Sequence, residues 1–447
     1  MPKSDTPAGL ARPVSSRGRC VPFDPFDGYF LDRAGPLIPK DGLLDSESTR
    51  AWLETVGWGS RSGLYTYQQA LQSKSGPRVR VGGQELLMMS SYDYLGLIGH
   101  PDVESAAIEA IRRFGTGTGG VRLLAGTSEL HRRFEAKLAA FKGTEAAATF
   151  SSGYAANIAA VTALLGPGDR AIVDVRVHRS TMDACRLAGV RVRPFRHNDL
   201  SSLRKALASG PRARRTLVII EGIYSMDGDI CPFPDVIELK TQYGASLMVD
   251  EAHSFGVLGA GGRGVNEHFG LDAGGVDIWM GCLSKAIPAN GGFVAGSREL
   301  IITLQHASAP FMFSAALCPA AVAAASESLN VLRREPDRLS RMRRNADQLR
   351  SRLQALGCDT GRSESPVIPV IVGKDETAYR MARKLFGAGI LATAVVYPAV
   401  PKGSARLRLC ATAAQDSAFF DDVEDGFRSV LGRGRAARIC RGDKAKR

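Results

Sequence analysis

The strongest chemical signal in the chain is a lysine, an aspartate and two histidines, each placed just after a short apolar run. Lys285 stands in GCLSKAIPANGG (281–292) after VDIWM, Asp250 and His253 in DEAHS after SLMV, and His178 in RVHRS after RAIVDV. Two further runs end in SSGYAAN (151–157) and EGIYSMDGD (221–229). A lysine amine can bond a carbonyl, and a carboxylate can keep a neighbouring ring nitrogen protonated. Ser and Gly opening a helix present free N–H groups to a phosphate. Taken singly, each has a plainer reading: Lys285 a surface charge, His178 a satisfied histidine, Asp250 a turn cap, SSGYAAN an N-capped helix start. Together they are the set that pyridoxal 5'-phosphate (PLP) requires: a Schiff-base lysine, a carboxylate for the pyridinium nitrogen and anchors for the phosphate.

These residues need a scaffold that brings strand ends together. The runs EAAATF (145–150), RAIVDV (170–175), TLVII (216–220), SLMVD (246–250) and VDIWM (276–280) are short and nearly unbroken, as expected of strands buried on both faces. Helical stretches are predicted over 46–58 (with Asp45 or Ser46 as N-cap), 101–114, 128–141, 154–165 and 233–243. This alternation predicts an α/β fold with a mostly parallel central sheet and helices on both faces, where ligands sit beyond the carboxyl ends of the strands. Four segments are expected. They are an N-terminal arm with a helix/strand segment (1–87), a large domain (88–330), a smaller C-terminal α+β domain (331–432) and a basic tail (433–447). A highly charged helix around 331–350 is expected to bridge the two domains, and the residues after Lys285 are expected to form a loop.

The bulk numbers fit a globular protein: 447 residues, 44% hydrophobic and 23% charged. No apolar run approaches the length of a membrane span, and the basic N-terminus lacks the apolar stretch of a secretory signal. Eight cysteines without a CxxC pair argue against a zinc site or disulfide framework and for a reducing cytoplasm. The net charge is +13, and residues 433–447 hold seven basic residues against one acidic, a net +6. Without interleaved aromatics this tail is weak support for nucleic-acid binding.

The motifs in combination resemble the α-oxoamine synthases, fold type I PLP enzymes that include 8-amino-7-oxononanoate synthase and serine palmitoyltransferase. The resemblance spans SSYDYLGLIGHP (90–101), GTGTGGVRLLAGTSELHRRFE (115–135), FSSGYAAN, EGIYSMDGD, VDEAHSFGVLGAGGRG (249–264), the lysine loop and RLRLCATAA (406–414). It implies that Lys285 bonds the cofactor and later moves the Cα proton. Asp250 would pair with the ring nitrogen, His178 stack on the ring, and His253 lie near the phenolic oxygen. Ser152, Gly153, Tyr154, Ser225, Cys282 and Ser284 would line the cofactor, and Arg408 would receive the amino-acid carboxylate. Ser314 would reach the phosphate of a neighbouring subunit, which implies a homodimer with shared active sites. The implied reaction is a decarboxylative Claisen-type condensation of a small amino acid with an acyl thioester, carried on coenzyme A or an acyl carrier protein.

The chain also departs from that pattern. Cys282 replaces a threonine that touches the phosphate, and a thiol is a weaker donor. Val121 replaces a Ser or Thr near the amino-acid side chain, and Tyr92 stands where several branches have Asn. Gln415 replaces a His, and Pro288 stands where small residues are usual.

Overall fold

The computed structural model describes residues 20–31, 42–210 and 213–432. Most of the expected N-terminal arm and the whole basic tail lie outside them. The chain begins with α1 (Glu47–Arg61), β1 (Arg78–Val81), β2 (Gln84–Met88), α2 (Pro101–Phe114) and α3 (Glu129–Lys142). There follow β3 (Ala146–Phe150), α4 (Gly153–Leu164), β4 (Arg170–Asp174), α5 (Arg179–Leu187), β5 (Arg191–Phe195), α6 (Leu200–Ala208), β6 (Thr216–Glu221), α7 (Phe233–Gln242) and β7 (Ser246–Asp250). The large unit closes with α8 (Val265–His268), β8 (Ile278–Ser284), β9 (Pro288–Gly296), α9 (Arg298–Ala307), α10 (Ala309–Met312) and α11 (Pro319–Arg334). The remainder comprises α12 (Asp337–Ala355), β10 (Val367–Gly373), α13 (Asp375–Gly387), β11 (Ile390–Leu391), β12 (Thr393–Val395), β13 (Ala405–Cys410) and α14 (Ser417–Leu431).

The central sheet has seven strands in the order β3-β9-β8-β7-β6-β4-β5. Strands β4 to β8 run parallel, whereas β9 is antiparallel to both of its neighbours. Both faces are buried, which explains the unbroken apolar runs. In β6, Val218 and Ile220 join one core while Leu217 and Ile219 join the other. In β7, Leu247 and Val249 face the first core and Met248 the second.

Two expectations are corrected. The residues after Lys285 are not an open loop: β8 continues through Ser284, the chain reverses over Lys285–Ile287, and Pro288 opens β9 opposite Ser284. A proline is tolerated there because it is the first residue of its strand. The charged stretch near 331–350 is two helices, because Pro336 cannot continue α11 and instead starts α12. Along α12, Leu339 and Met342 belong to the large core, while Ala346, Leu349 and Leu353 belong to the smaller one. The smaller core is built on the antiparallel sheet β10-β13-β12 and is covered by α13 and α14. The hairpin β1-β2 joins it too, because β2 pairs in parallel with β11.

Candidate active site

The expected lysine, carboxylate and histidines all lie at the carboxyl end of the parallel strands. Asp250 ends β7 and pairs in register with Glu221, which ends β6. Lys285 lies at the apex of the β8–β9 hairpin. The turn carrying His253 is held against that apex by Gly256. This residue has φ +74°, and a Cβ on it would come within 2.7 Å of Ala286 Cβ.

Asp250 is 4% exposed. Its Oδ2 accepts a hydrogen bond from Asn157 Nδ2 at 2.9 Å and its Oδ1 one from Ala252 N at 2.9 Å. No cation pairs with it among the described residues. A buried carboxylate without a positive partner is costly, so this group fits a protonated ring nitrogen. Asn157 Nδ2 also reaches Ser180 Oγ at 2.9 Å, and Ser180 Oγ lies 2.7 Å from His178 Nδ1. His178 caps α5 and is exposed, and its backbone N–H donates to Glu221 Oε1 at 2.5 Å. Burial and the neighbouring Asp250 charge push the Glu221 carboxyl well above its usual range, against the N–H groups of His178 and Ser225.

Arg408, in β13, is 3% exposed and has no carboxylate partner among the described residues. Its Nε donates to Ser225 O at 2.5 Å, its Nη1 lies 3.2 Å from Cys410 Sγ and its Nη2 3.5 Å from Tyr94 Oη. The guanidinium carbon lies 4.5 Å from the centre of the Tyr92 ring. Tyr94 Oη is 2.8 Å from His253 Nδ1. His253 is held well below its ordinary pKa by burial first and then by the positive charges of Lys285, Arg408 and His178. Both effects disfavour its charged form.

The phosphate-side expectation centres on the N-terminus of α4. Ser152 caps that helix through Ala155 N at 3.0 Å. Gly153 cannot carry a side chain, because a Cβ would overlap Cys282 Sγ. The thiol thus lies directly against the first turn of α4, where the expected threonine hydroxyl would stand. Ser314 Oγ donates to Ser151 Oγ at 3.2 Å within its own chain. The Tyr154 side chain turns away, its hydroxyl donating to Asp183 Oδ2 at 2.8 Å. Ser284 is exposed in the hairpin. Val121 forms a bridge with Ala315, on the segment that carries Ser314. Gln415 is buried and closes the turn after β13, accepting from Thr412 N at 2.8 Å and donating to Cys410 O at 3.3 Å.

Sequence reasoning missed Tyr94, Asn157, Ser180 and Glu221. Asn157 lies one helical turn beyond Gly153, and Glu221 ends a strand as Asp250 does, so both had a readable position. A cleft of about 860 Å³ lies at the opposite, amino end of the sheet and is lined by residues that include Thr216, Ser246 and Val276. It gathers no comparable chemistry.

The sequence profile of aminotransferase class I and II matches residues 84–422. The chain belongs to this family, and within it to the α-oxoamine synthases. It is 44% identical over 372 residues to the 8-amino-7-oxononanoate synthase of Thermoanaerobacter pseudethanolicus, covering 83% of this chain and 94% of that one. Its fold matches the serine palmitoyltransferase of Sphingomonas wittichii with a TM-score of 0.83 and 32% identity, covering 87% of this chain and 98% of that one. The same values describe a serine palmitoyltransferase variant from S. paucimobilis solved with a bound PLP–myriocin aldimine. Among the described residues no helix is long and apolar enough to cross a membrane.

Proposed function

We propose that this chain is a PLP-dependent acyltransferase that condenses a small amino acid with an acyl thioester, releasing carbon dioxide and the free thiol and leaving a 2-amino ketone. The observation that carries this reading is a pair of buried charges unmatched among the described residues: Asp250 lacks a cation there and Arg408 an anion, with Lys285 and His253 in the same cluster. The first suits a pyridinium nitrogen, the second a substrate carboxylate. Lys285, Asp250, His178, His253, Ser225 and the Ser151–Gly153 cradle with Cys282 would hold the cofactor. When bound, it supplies an electron sink for the Cα of the amino acid.

The chain's own residues do the rest. The Arg408 guanidinium fixes the substrate carboxylate, and the Tyr92 ring beside it limits how that group turns. Asp250 Oδ2 and Oδ1, oriented by Asn157 and Ala252, keep the proton on the ring nitrogen. Lys285 Nζ takes the Cα proton. Loss of the thiol from the thioester and of carbon dioxide from the amino acid balances the new carbon–carbon bond.

Two copies of the chain with shared sites complete the reading. Leu124 (81% exposed), Phe313 (77% exposed) and Leu123 form apolar surface around the Val121–Ala315 bridge, close to the cradle. Serine, alanine and glycine all remain open as donors. Coenzyme A and an acyl carrier protein are both anionic and both suit the +13 charge. The test is spectroscopic. The purified protein is expected to show the visible band of lysine-bound PLP, and one of glycine, alanine or serine is expected to shift it. Thiol release with acyl-CoA, compared with acyl carrier protein, then identifies the second substrate. A band that no amino acid perturbs would overturn the proposal.

A further inference from the structure

Tyr94 is fully buried, yet neither composition nor motif assigns it a role. Its hydroxyl lies between two site residues, 2.8 Å from His253 Nδ1 and 3.5 Å from Arg408 Nη2. It also hydrogen-bonds the Cys410 side chain. These neighbours leave the phenol few options. Arg408 has only donors, so the Tyr94 oxygen must accept from it. The Cys410 sulfur already accepts from Arg408 Nη1 at 3.2 Å and is a weak acceptor for a further proton. A phenol has a single proton to give, and the stronger of its two acceptors is the imidazole nitrogen.

We infer that Tyr94 is a positioning residue that selects the tautomer of His253: its proton is given to Nδ1, which leaves the proton of the imidazole on Nε2. Nε2 has no hydrogen-bond partner among the described residues, so it is the donor that His253 has left for a ligand. The consequence rests on the reading above. A group bound beside His253 meets a fixed N–H rather than a lone pair, and the donor chain Arg408–Tyr94–His253 joins the substrate-carboxylate end of the site to the cofactor end. The neutrality that makes tautomer choice meaningful comes from burial first, and then from the positive charges of Lys285, Arg408 and His178 that face His253. In the opposite arrangement His253 Nδ1–H would donate to Tyr94, and the phenol proton would go to the Cys410 sulfur, a weak acceptor. One ring nitrogen's partner dictates the state of the other.

The experiment is nitrogen NMR on the full chain labelled with ¹⁵N-histidine, in the wild type and in Tyr94→Phe, with His253→Asn used to assign the signal. The wild type is expected to carry its proton on Nε2, and Tyr94→Phe to populate the Nδ1–H form as well. In the same two proteins the pH midpoint of the visible cofactor band is expected to shift on losing the phenol. A wild-type Nδ1–H signal overturns the inference whether or not the variant folds, and so does an unchanged tautomer in a folded Tyr94→Phe. Absence of any cofactor band alongside an Nε2–H signal would instead sink the PLP reading and leave the Tyr94 assignment standing.

Discussion

The protein buries two kinds of polar cluster, and they differ in whether their charges are matched. Away from the site, Arg122 grips Glu135 with both arms of its guanidinium, Nη1–Oε1 at 2.6 Å and Nη2–Oε2 at 3.0 Å, and also reaches Thr149 Oγ1 at 2.7 Å. Lys142 Nζ lies 2.6 Å from Glu251 Oε2, donates to Arg263 O and Asn266 Oδ1, and stands 3.5 Å over the Trp279 ring. Every charge there has its opposite within the chain. Asp250 is the residue immediately before Glu251, yet among the described residues it has no cation, and Arg408 has no anion. Closed clusters hold elements together, whereas open ones have capacity for something from outside. The chain places one of each on consecutive residues of β7 and its exit.

Three substitutions probe that contrast. Lys285→Ala removes the open cluster's amine, and turnover is expected to fall at least about 100-fold with loss of the visible cofactor band. Thermal unfolding should barely move, because Lys285 is only half-buried and holds no ion pair among the described residues. Enzyme assay, absorbance and calorimetry on one preparation check this, and an active Lys285→Ala would collapse the distinction. Lys142→Met does the reverse. It leaves the Glu251 carboxylate buried without its partner, which costs about 3–5 kcal/mol of stability, read by denaturant titration. Activity per folded molecule is expected to persist. A loss of turnover at full stability would instead place Lys142 in the open cluster.

The third and smallest effect concerns a cluster of intermediate character. His197 Nδ1 lies 3.1 Å from Asp174 Oδ1, and its Nε2 lies 2.8 Å from Asp229 Oδ2. Burial alone would lower its pKa, but the hydrogen bonds to both carboxylates and their charges raise it to about 9. Because the folded value lies above the unfolded one of about 6.5, the stabilisation is full below that pH and disappears as pH rises through about 9. The melting temperature is therefore expected to decline across this window, and less steeply in His197→Gln. Parallel curves for the two proteins would show that His197 is neutral in the folded state.

How much could be read in advance followed from how each residue acts. The strands β3, β4, β6 and β7 were legible because they are buried on both faces, which leaves few positions for polar residues. Strand β9 was not, since PANGGFVAG looks like turn chemistry. Its Gly292 is there because a Cβ would come within 2.6 Å of Gly153 Cα, a demand of packing that only the folded chain reveals. For the hairpin β1-β2 only a helix/strand segment within 1–87 was expected, and its pairing could not be read because its partner β11 is distant in sequence. Within the site, Lys285, Asp250 and His253 were readable because residue type and strand-end position mark them, whereas Arg408, inside β13, was pointed to only by the family resemblance. Tyr94, Asn157, Ser180 and Glu221 act through another side chain, and one-dimensional spacing does not show which one.

The pairing of β2 with β11 sets the order in which a new chain can become competent on the ribosome. The segment leading to Tyr92 and Tyr94 is fixed from both sides by late residues: Met89 N donates to Leu391 O at 3.0 Å, Cys410 N to Met89 O at 2.8 Å, and Ala413 N to Tyr94 O at 2.8 Å. Ser90 and Leu391 are 301 residues apart. At ordinary translation speeds that separation is a wait of on the order of 15–60 s. During this wait the central sheet, with Asp250 and Lys285, can assemble on residues already made. The wall that orients His253 and Arg408 is completed last, so a nascent chain can present the cofactor-side residues before it can hold a substrate.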